Sequence, residues 1–313
     1  MSTAPLLVVI TGPTAAGKTS VGIDVALALD GEVVSADSMM VYRGMDIGTA
    51  KPALSEMRGV PHHLIDVADP DEDFSVARYQ ELAARAIEGI HERKKVPLLV
   101  GGTGLYIRAV VDGYRFPVRS DPRLRHRLQQ EARSSGSGHL QRRLAEVDPV
   151  SAGRLHENDE RRIIRALEVY HLTGVPFSRF LEHGRDREPK YRAVMFGLTM
   201  TRAGLYRRIE KRVDELVRAG LVDEVRRLLE KGYGPDLVAM KGLGYKEIAD
   251  YLQGRTTLEE AVNILKKNTR RFAKRQLTWF RRDTRIQWLD VDENQGGRGV
   301  AQQIVDFLAG VTR

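Results

Sequence analysis

Short apolar runs that end in glycine-rich turns alternate with amphipathic segments along the first 114 residues. Continuous apolar runs of five residues are typical of parallel strands that are covered on both faces, and apolar positions at helical spacing predict the helices between them. Strands are expected at 6–10, 32–36 and 96–100, and helices at 18–29 and 75–94, the second with Ser75 as N-cap. The alternation predicts an α/β layer with a parallel sheet.

The pattern changes at about residue 115, where strand signals end and arginines become dense. We interpret residues 115–190 as a mostly helical insertion. The apolar segment at 192–199 predicts the return of the chain to the sheet. Helices are expected at 203–231, 257–282 and 299–309, and a strand at 286–289. The core would then comprise residues 1–114 and 191–313, the latter with basic C-terminal helices.

Composition excludes several classes of protein. No apolar run approaches the roughly 18 residues that a membrane span requires, and the N-terminus lacks the basic start of a signal peptide. The sequence contains no cysteine, which excludes disulfides and thiolate metal sites. We therefore expect a cytoplasmic protein without a membrane partner. Nothing in the apolar pattern requires a dimer, so a monomer is expected.

Charge is distributed unevenly along the chain. The first 100 residues contain nine basic and 14 acidic residues, whereas the remainder contains 41 basic and 28 acidic residues. An acidic front and a basic back suggest that a small-molecule site and a surface for a polyanion lie in different parts of the chain. A well-solvated basic surface is the alternative.

A complete P-loop motif follows the first predicted strand and precedes the first predicted helix. Its residues are Gly12, Pro13, Thr14, Ala15, Ala16, Gly17, Lys18 and Thr19. In this context the backbone N–H groups surround phosphate oxygens, the lysine neutralises a phosphate and the hydroxyl of Thr19 ligates Mg²⁺. The motif predicts a site for a diphosphate or for a nucleotide such as ATP, with Mg²⁺ as cofactor, but it does not identify the reaction.

A carboxylate follows the second predicted strand. Asp37 lies just beyond the carboxyl end of that strand, and ligands bind at this edge of open parallel sheets. It could accept a proton or hold a metal through water. Helix capping is the alternative role for a carboxylate at this place.

The segment 264–282 is the most basic predicted helix. Between Lys266 and Arg282 it contains eight basic residues and no acidic residue. A solvated helix face is usually balanced by Asp or Glu one turn away, so we expect contact with a phosphate backbone, through Lys274 and Arg275 among others. Trp279 and Phe280 are interpreted as anchors in the core.

Seven separated segments, in order, resemble the tRNA dimethylallyltransferase family of bacterial type. They are GPTAAGKT at 12–19, DSMMVYRGMDIGTAKP at 37–52, PHHLIDV at 61–67, VGGTGLY at 100–106, ENDERRIIRALEV at 157–169, KGLGYKEI at 241–248 and RRFAKRQLTWFRR at 270–282. The resemblance implies a P-loop fold with a helical insertion, residues 115–190, that binds tRNA. It also implies transfer of a dimethylallyl group from dimethylallyl diphosphate to N6 of the adenosine that follows the anticodon of tRNA.

The resemblance also implies roles for individual residues. The P-loop would hold the diphosphate, with Thr14 and Lys18 close to it, Thr19 on Mg²⁺ and Arg202 as a further contact. Asp37 would be the general base, and Thr103 would lie in the channel where the donor meets the tRNA. Contacts with the tRNA anticodon stem-loop are implied for Asp37, Ser38, Met39, Met40, Thr103, Arg125, Arg161, Arg162, Ile163, Ile164, Arg165 and Lys241.

Three alternatives share parts of this pattern. A P-loop kinase acting on a small molecule or nucleoside would not explain the basic back half. An RNA-binding protein that hydrolyses a nucleotide should carry an apolar run ending in Asp, whereas residues 96–100 are followed by Gly-Gly-Thr. A prenyltransferase acting on free adenine nucleotides would not require the basic helix.

Overall fold

The computed structural model describes residues 4–114, 116, 120–183, 189–292 and 296–311. The chain divides into two compact units. The first unit extends to Val111 and resumes at Tyr191, and the second is Asp112–Lys190. The boundary of the second unit therefore lies three residues before the expected one. Within the described residues, no helix has the length and apolar character needed to cross a membrane.

A six-stranded parallel sheet forms the centre of the first unit. Its strands are β1 (Leu6–Thr11), β2 (Gly31–Ser35), β3 (His62–His63), β4 (Val96–Val100), β5 (Arg192–Thr199) and β6 (Ile286–Asp290), in the order β3-β2-β4-β1-β5-β6. Val8 of β1 pairs with Leu98 of β4 on one side and with Val194 of β5 on the other. The predicted α/β fold with a P-loop at the end of a central strand is confirmed.

Helices cover both faces of this sheet. The helices described in the first unit are α1 (Lys18–Ala28), α2 (Leu54–Met57), α3 (Val76–Glu92), α4 (Gly104–Val111), α10 (Arg202–Arg218), α11 (Leu221–Glu230), α12 (Tyr245–Leu252), α13 (Leu258–Phe280) and α14 (Gly297–Val311). Val21 of α1 and Ile304 of α14 are buried against one face, whereas Tyr79 of α3 and Ile107 of α4 are buried against the other. Burial on both faces explains why the strands are continuously apolar.

The predicted helix at 203–231 is two helices. The chain turns at Gly220, whose φ of 102° lies in the left-handed region, and this turn separates α10 from α11. The break lets the apolar side of α11 pack into a third core with α12 and α13, where Leu221, Val225 and Tyr245 are buried. The apolar periodicity continues across Gly220, so it did not reveal that the helix ends at this glycine.

The second unit contains five helices among its described residues. They are α5 (Pro122–Ser135), α6 (Ser137–Val147), α7 (Pro149–Arg154), α8 (Glu160–Thr173) and α9 (Phe177–His183). Leu128, Leu144 and Leu167 lie in its core, which is separate from the cores of the first unit. The expected helical character of the insertion is therefore present from residue 122 to 183.

Candidate active site

A cleft of about 1060 Å³ opens at the carboxyl edge of the sheet in the first unit. The P-loop, the turn after β2 and the chain at 46–58 form three of its sides, and α10 contributes Arg212, Glu215 and Leu216. Lys18 and Asp37 both line this cleft, so the structure brings together the predicted phosphate-binding lysine and the predicted base. Ligands bind at this edge of parallel α/β sheets, because loops from several strands converge there.

Two hydrogen-bond donors of the P-loop already have partners within the protein. The ammonium of Lys18 donates to the carbonyl of Pro13 at 2.7 Å, which places the cation against its own loop. The backbone N–H of Thr14 donates to the side-chain oxygen of Gln276 at 2.8 Å. In this state Thr14 can offer its hydroxyl to a ligand, while its N–H is occupied. Thr19 is exposed in the first turn of α1 and lines the cleft.

Lys18, Arg212 and Asp37 influence one another electrostatically within the cleft. Burial, reinforced by the charge of Arg212, lowers the pKa of Lys18 to about 8, while Asp37 acts in the opposite direction. Burial also lowers the pKa of Arg212, against the attraction of Asp37. Both cations are thus held where their charged forms are poorly solvated. An anion placed between them would stabilise both charges.

The turn after β2 is held by the turn after β4. The hydroxyl of Thr103 accepts the backbone N–H of Ser38 at 3.0 Å, and the N–H of Thr103 donates to the carbonyl of Ala36 at 3.0 Å. The carboxylate of Asp37 accepts the N–H of Met39 at 2.8 Å, which orients it. Met40 lines the cleft. The predicted residues Asp37, Ser38, Met39, Met40 and Thr103 therefore form one local structure.

A buried carboxylate from α11 holds the loop that follows. Glu224 is 3% exposed and accepts the backbone N–H groups of Asp46, Ile47 and Gly48 at 2.7–3.0 Å. The hydroxyl of Tyr245 donates to the same carboxylate at 2.7 Å. Asp46 and Ile47 line the cleft, so this carboxylate fixes one wall of the site.

Two sequence motifs meet at this wall. Tyr245 belongs to the KGLGYKEI segment, and its ring lies against Gly48 of the DIGTAKP segment, where an added Cβ would be 2.6 Å from the ring. Gly242 of the first motif similarly contacts Met39. Lys241 lies in the same segment and is exposed. The packing explains why both motifs occur together in one chain.

The basic helix α13 is partly balanced by its neighbour α10. Lys266 forms an ion pair with Asp214 at 2.6 Å, and Arg270 forms one with Glu210 at 2.5 Å. The acidic residues that are absent one turn away on α13 are thus supplied to these two residues by another helix.

The C-terminal half of α13 keeps its charges exposed. Lys274 and Arg275 are exposed, and together with Thr278, Trp279 and Arg282 they line a shallow cleft of about 210 Å³. Phe280 is 2% exposed and packs under the sheet, as expected of a core anchor. Trp279 is partly buried against the same core.

In the second unit, the predicted RNA-binding residues fall into two groups. Arg161 and Arg162 are exposed on α8. Ile163 and Ile164 are 0% and 4% exposed. The core of the unit encloses their side chains, so a contact with tRNA, which stays a prediction, would have to use their backbone.

Two further arginines of this unit converge on one carboxylate. Arg125 makes two hydrogen bonds to the fully buried Glu168, at 2.8 and 2.9 Å, and Arg165 makes one at 2.6 Å. Burial by itself raises the pKa of Glu168, but these bonds hold it below its ordinary value. Both guanidinium groups therefore have a structural role, whatever else they contact.

Sequence reasoning missed Arg212 and Gln276, which line or support the cleft, and it predicted a diphosphate contact for Arg202, which does not line the cleft. Arg202 lies over the ring of Tyr206 at 5.2 Å and is not among the residues that line the cleft. Arg212, ten residues further along α10, does line the cleft. Spacing from Arg202 would not have indicated Arg212, because two positions ten residues apart do not lie on the same line along a helix. Gln276 belongs to the RRFAKRQLTWFRR segment, but no role was predicted for it.

The residues present fit Mg²⁺ bound together with a diphosphate. Among the described residues, no group of three or more His, Asp or Glu side chains could hold a metal ion by itself. Mg²⁺ is commonly bound by one or two protein groups, several waters and substrate phosphates. Thr19 is exposed beside Lys18 in the cleft, and its hydroxyl would be the protein ligand at such a site.

The comparisons with known proteins agree with this geometry. The family described as IPP transferase matches residues 40–283. The chain is 72% identical to the tRNA dimethylallyltransferase of Desulforudis audaxviator over 98% of this chain and 99% of that protein. It is 54% identical to that of Carboxydothermus hydrogenoformans over 91% of each.

Two solved structures are similar over almost the whole chain. The crystal structure of the tRNA isopentenylpyrophosphate transferase of Bacillus halodurans has a TM-score of 0.71 and 48% identity, and covers 97% of this chain and 96% of its own. A eukaryotic dimethylallyltransferase acting on tRNA has a TM-score of 0.83 and 28% identity, covering 98% of this chain and 80% of its own. With a matching family profile over most of its length and relatives of such identity, the chain belongs to the IPP transferase family.

Proposed function

We propose that this protein transfers the dimethylallyl group of dimethylallyl diphosphate to N6 of the adenosine on the 3′ side of the anticodon in tRNA. The observation that carries the proposal is the shared cleft of Lys18, Arg212 and Asp37. It joins a cationic site for a diphosphate to a carboxylate that can accept a proton. Relatives named tRNA dimethylallyltransferase at up to 72% identity support this assignment.

The reaction forms a bond from the adenine N6 to the first carbon of the prenyl group and breaks the bond from that carbon to the diphosphate oxygen. The amine nitrogen becomes cationic as the diphosphate becomes more anionic. Asp37 accepts the proton that N6 loses, and Lys18 and Arg212 stabilise the leaving diphosphate. Charges placed at both ends of the developing charge separation lower the barrier without reorganisation of the site.

Thr19 would hold Mg²⁺, which when bound neutralises part of the charge of the diphosphate. Lys18 donates one of its three N–H groups to the carbonyl of Pro13 here, which leaves two for the diphosphate. The exposed N–H groups of the loop and the first turn of α1 complete the phosphate-binding surface.

The acceptor adenine must leave its stack before it can enter the cleft, at a cost of a few kcal/mol. Exposed cations along α13, Lys274 and Arg275, are suited to hold the RNA backbone during this step. Arg161 and Arg162 of the second unit are further candidates, and their contact with RNA stays a prediction, as do those of Lys241 and Arg202 with their substrates.

The test is a donor competition. Purified protein is incubated with Mg²⁺ and unmodified tRNA, and supplied with either dimethylallyl diphosphate or ATP. Digested nucleosides are then analysed by mass spectrometry. Prenylated adenosine should form only with the prenyl donor. Consumption of ATP without a modified nucleoside would reassign the protein to P-loop kinases or hydrolases.

Because the proposed acceptor is tRNA, we place the reaction in the cytoplasm and expect a monomer to be sufficient, since both cations and the base come from one chain. Light scattering of the protein with and without tRNA would check the second point. A dimer that is required for activity would contradict it.

A further inference from the structure

The side-chain amide of Gln276 lies between two loops of the active site. Gln276 is on α13 and is 7% exposed. Its oxygen accepts the backbone N–H of Thr14 at 2.8 Å, and its nitrogen donates to the carbonyl of Gly102 at 2.9 Å. One side chain therefore connects α13 to the P-loop and to the turn after β4.

The contact is close and chemically specific. A Cβ added to Gly102 would lie 2.3 Å from the amide nitrogen of Gln276, so the absence of a side chain at Gly102 makes room for the amide. The two bonds use opposite polarities, an acceptor towards Thr14 and a donor towards Gly102. A carboxylate has no donor and an apolar side chain has neither group, so an amide of this length satisfies both loops.

The two loops are those that hold the reacting groups. Thr14 precedes Lys18 in the P-loop, whereas Gly102 precedes Thr103, whose hydroxyl accepts the N–H of Ser38. Any movement of the amide therefore changes the position of the diphosphate cradle relative to the turn that carries Asp37. A displacement of about 1 Å between reacting groups can lower a rate on the order of 100-fold.

The opposite side of the same helix faces solvent. Lys274 and Arg275, the two residues immediately before Gln276, are exposed and line the shallow cleft with Trp279. Neither forms an ion pair with a carboxylate of the described residues. A polyanion bound to this surface would therefore contact the helix whose buried face is hydrogen-bonded to both loops of the active site.

We propose that Gln276 is a positioning residue that couples RNA binding on α13 to the geometry of the P-loop and of the turn at Gly102 and Thr103. The inference rests on the proposed function, because it takes the RNA to be the polyanion on α13. Gln276 touches neither substrate in this scheme. Its amide keeps the diphosphate cradle and the turn bearing Asp37 in register when the RNA is bound.

The experiment compares Gln276→Met, which keeps length and removes both hydrogen bonds, with Asn268→Leu as a matched control. Asn268 is also a partly buried amide on α13, but it donates to Glu247, away from the P-loop. Calorimetry measures the affinity for inorganic pyrophosphate with and without unmodified tRNA. We expect tRNA to tighten pyrophosphate binding by about 5-fold or more in the unaltered protein, and to leave it unchanged in Gln276→Met.

Turnover separates positioning from a purely structural role. In Gln276→Met, kcat should fall on the order of 10- to 100-fold, while the dissociation constant for tRNA stays within about 2-fold. Asn268→Leu should keep both the coupling and kcat. Coupling and kcat that survive in Gln276→Met, or that are lost equally in Asn268→Leu, would overturn the proposal.

A second variant guards against a failure to fold. Gln276→Glu retains the acceptor for Thr14 but presents an oxygen to the carbonyl of Gly102, so it should also lose the coupling. If the unaltered protein prenylates no RNA, the proposed function has failed. The pyrophosphate affinity without RNA still tests the link to the P-loop, because it should be weaker in Gln276→Met, and an unchanged affinity there would overturn that link.

Discussion

The hydroxyl of Thr103 accepts the backbone N–H of Ser38 at 3.0 Å, which ties the turn after β4 to the turn after β2. Asp37 stands immediately before that N–H, and its own carboxylate accepts the N–H of Met39. The backbone around the proposed base is thus held from outside by a side chain of the neighbouring strand's turn. Substitutions of the Asp37 side chain can therefore change its chemistry while leaving its place in the fold.

Asp37→Asn should lower kcat by a factor on the order of 10²–10⁴ and leave the affinity for dimethylallyl diphosphate largely intact. The amide oxygen can still accept the N–H of Met39, but it cannot take up a proton from the amine. Single-turnover kinetics and donor titration would measure the two effects. Asp30→Asn, at a carboxylate that pairs with Lys95 and does not line the cleft, serves as the control and should retain most activity. Normal turnover in Asp37→Asn would remove this residue from the mechanism.

Binding of the diphosphate should weaken as pH rises through about 8. Burial and the charge of Arg212 lower the pKa of Lys18 to about 8, and only the protonated lysine attracts the diphosphate. Below that pH the free protein already carries the charge, whereas above it binding must take up a proton, so affinity falls by up to about 10-fold per pH unit.

Isothermal titration with dimethylallyl diphosphate between about pH 7 and pH 9.5 would show this break. Lys18→Arg is the control, because a guanidinium remains charged throughout this range. Its profile should be flat, even though the altered shape weakens binding at every pH. A flat profile in the unaltered protein as well would contradict the assignment of Lys18 to the diphosphate.

Glu224→Gln should destabilise the first unit by about 2–3 kcal/mol, because an amide replaces one of two oxygens that accept four donors and leaves buried N–H groups unpaired. Tyr245→Phe removes a single donor and should lower the free energy of unfolding by about 1 kcal/mol. Both tryptophans, Trp279 and Trp288, belong to this unit, so their fluorescence during urea unfolding reports on it.

The same Glu224→Gln variant should raise KM for the prenyl donor more than KM for tRNA, since Asp46 and Ile47 line the cleft. Equal increases in both constants would show that this carboxylate supports the fold without shaping the donor site.

Replacing Lys274 and Arg275 by Gln should flatten the salt dependence of tRNA binding. Loss of two phosphate contacts reduces the slope of log K against log salt by about 1.4–1.8. The control is the pair Lys266 and Arg270, which already bind Asp214 and Glu210. Their replacement by Gln should change the slope less. An equal change for both pairs would mean that the exposed end of α13 is not a preferred RNA surface.

Local patterns predicted the parts of this site that are continuous in sequence. The P-loop, its preceding strand and Asp37 are each defined within a few residues, and Ser75 caps α3 through the N–H of Arg78 as expected. The stop at Gly220 was missed because apolar spacing continues across it.

Contacts between distant segments could not be predicted in this way. Gln276 meets Thr14 across 262 residues, and Glu224 meets Ile47 across 177. Neither contact produces a periodicity or a fixed spacing that could be recognised in a single sequence. The burial of Ile163 and Ile164 was not predicted for a related reason. A motif shows which residues occur together, but not which of them face a core.

The position of β1 in the sheet has a consequence for synthesis on the ribosome. Val8 can pair with Leu98 early, but its other neighbour is Val194 of β5. At about 5–20 residues per second, that partner emerges roughly 10–40 s after β1 itself. During this interval the nascent chain exposes an unpaired edge in the middle of its future sheet. The helices of Asp112–Lys190 emerge before that edge is covered. The last-made third of the chain therefore completes the site whose first residues are among the earliest translated.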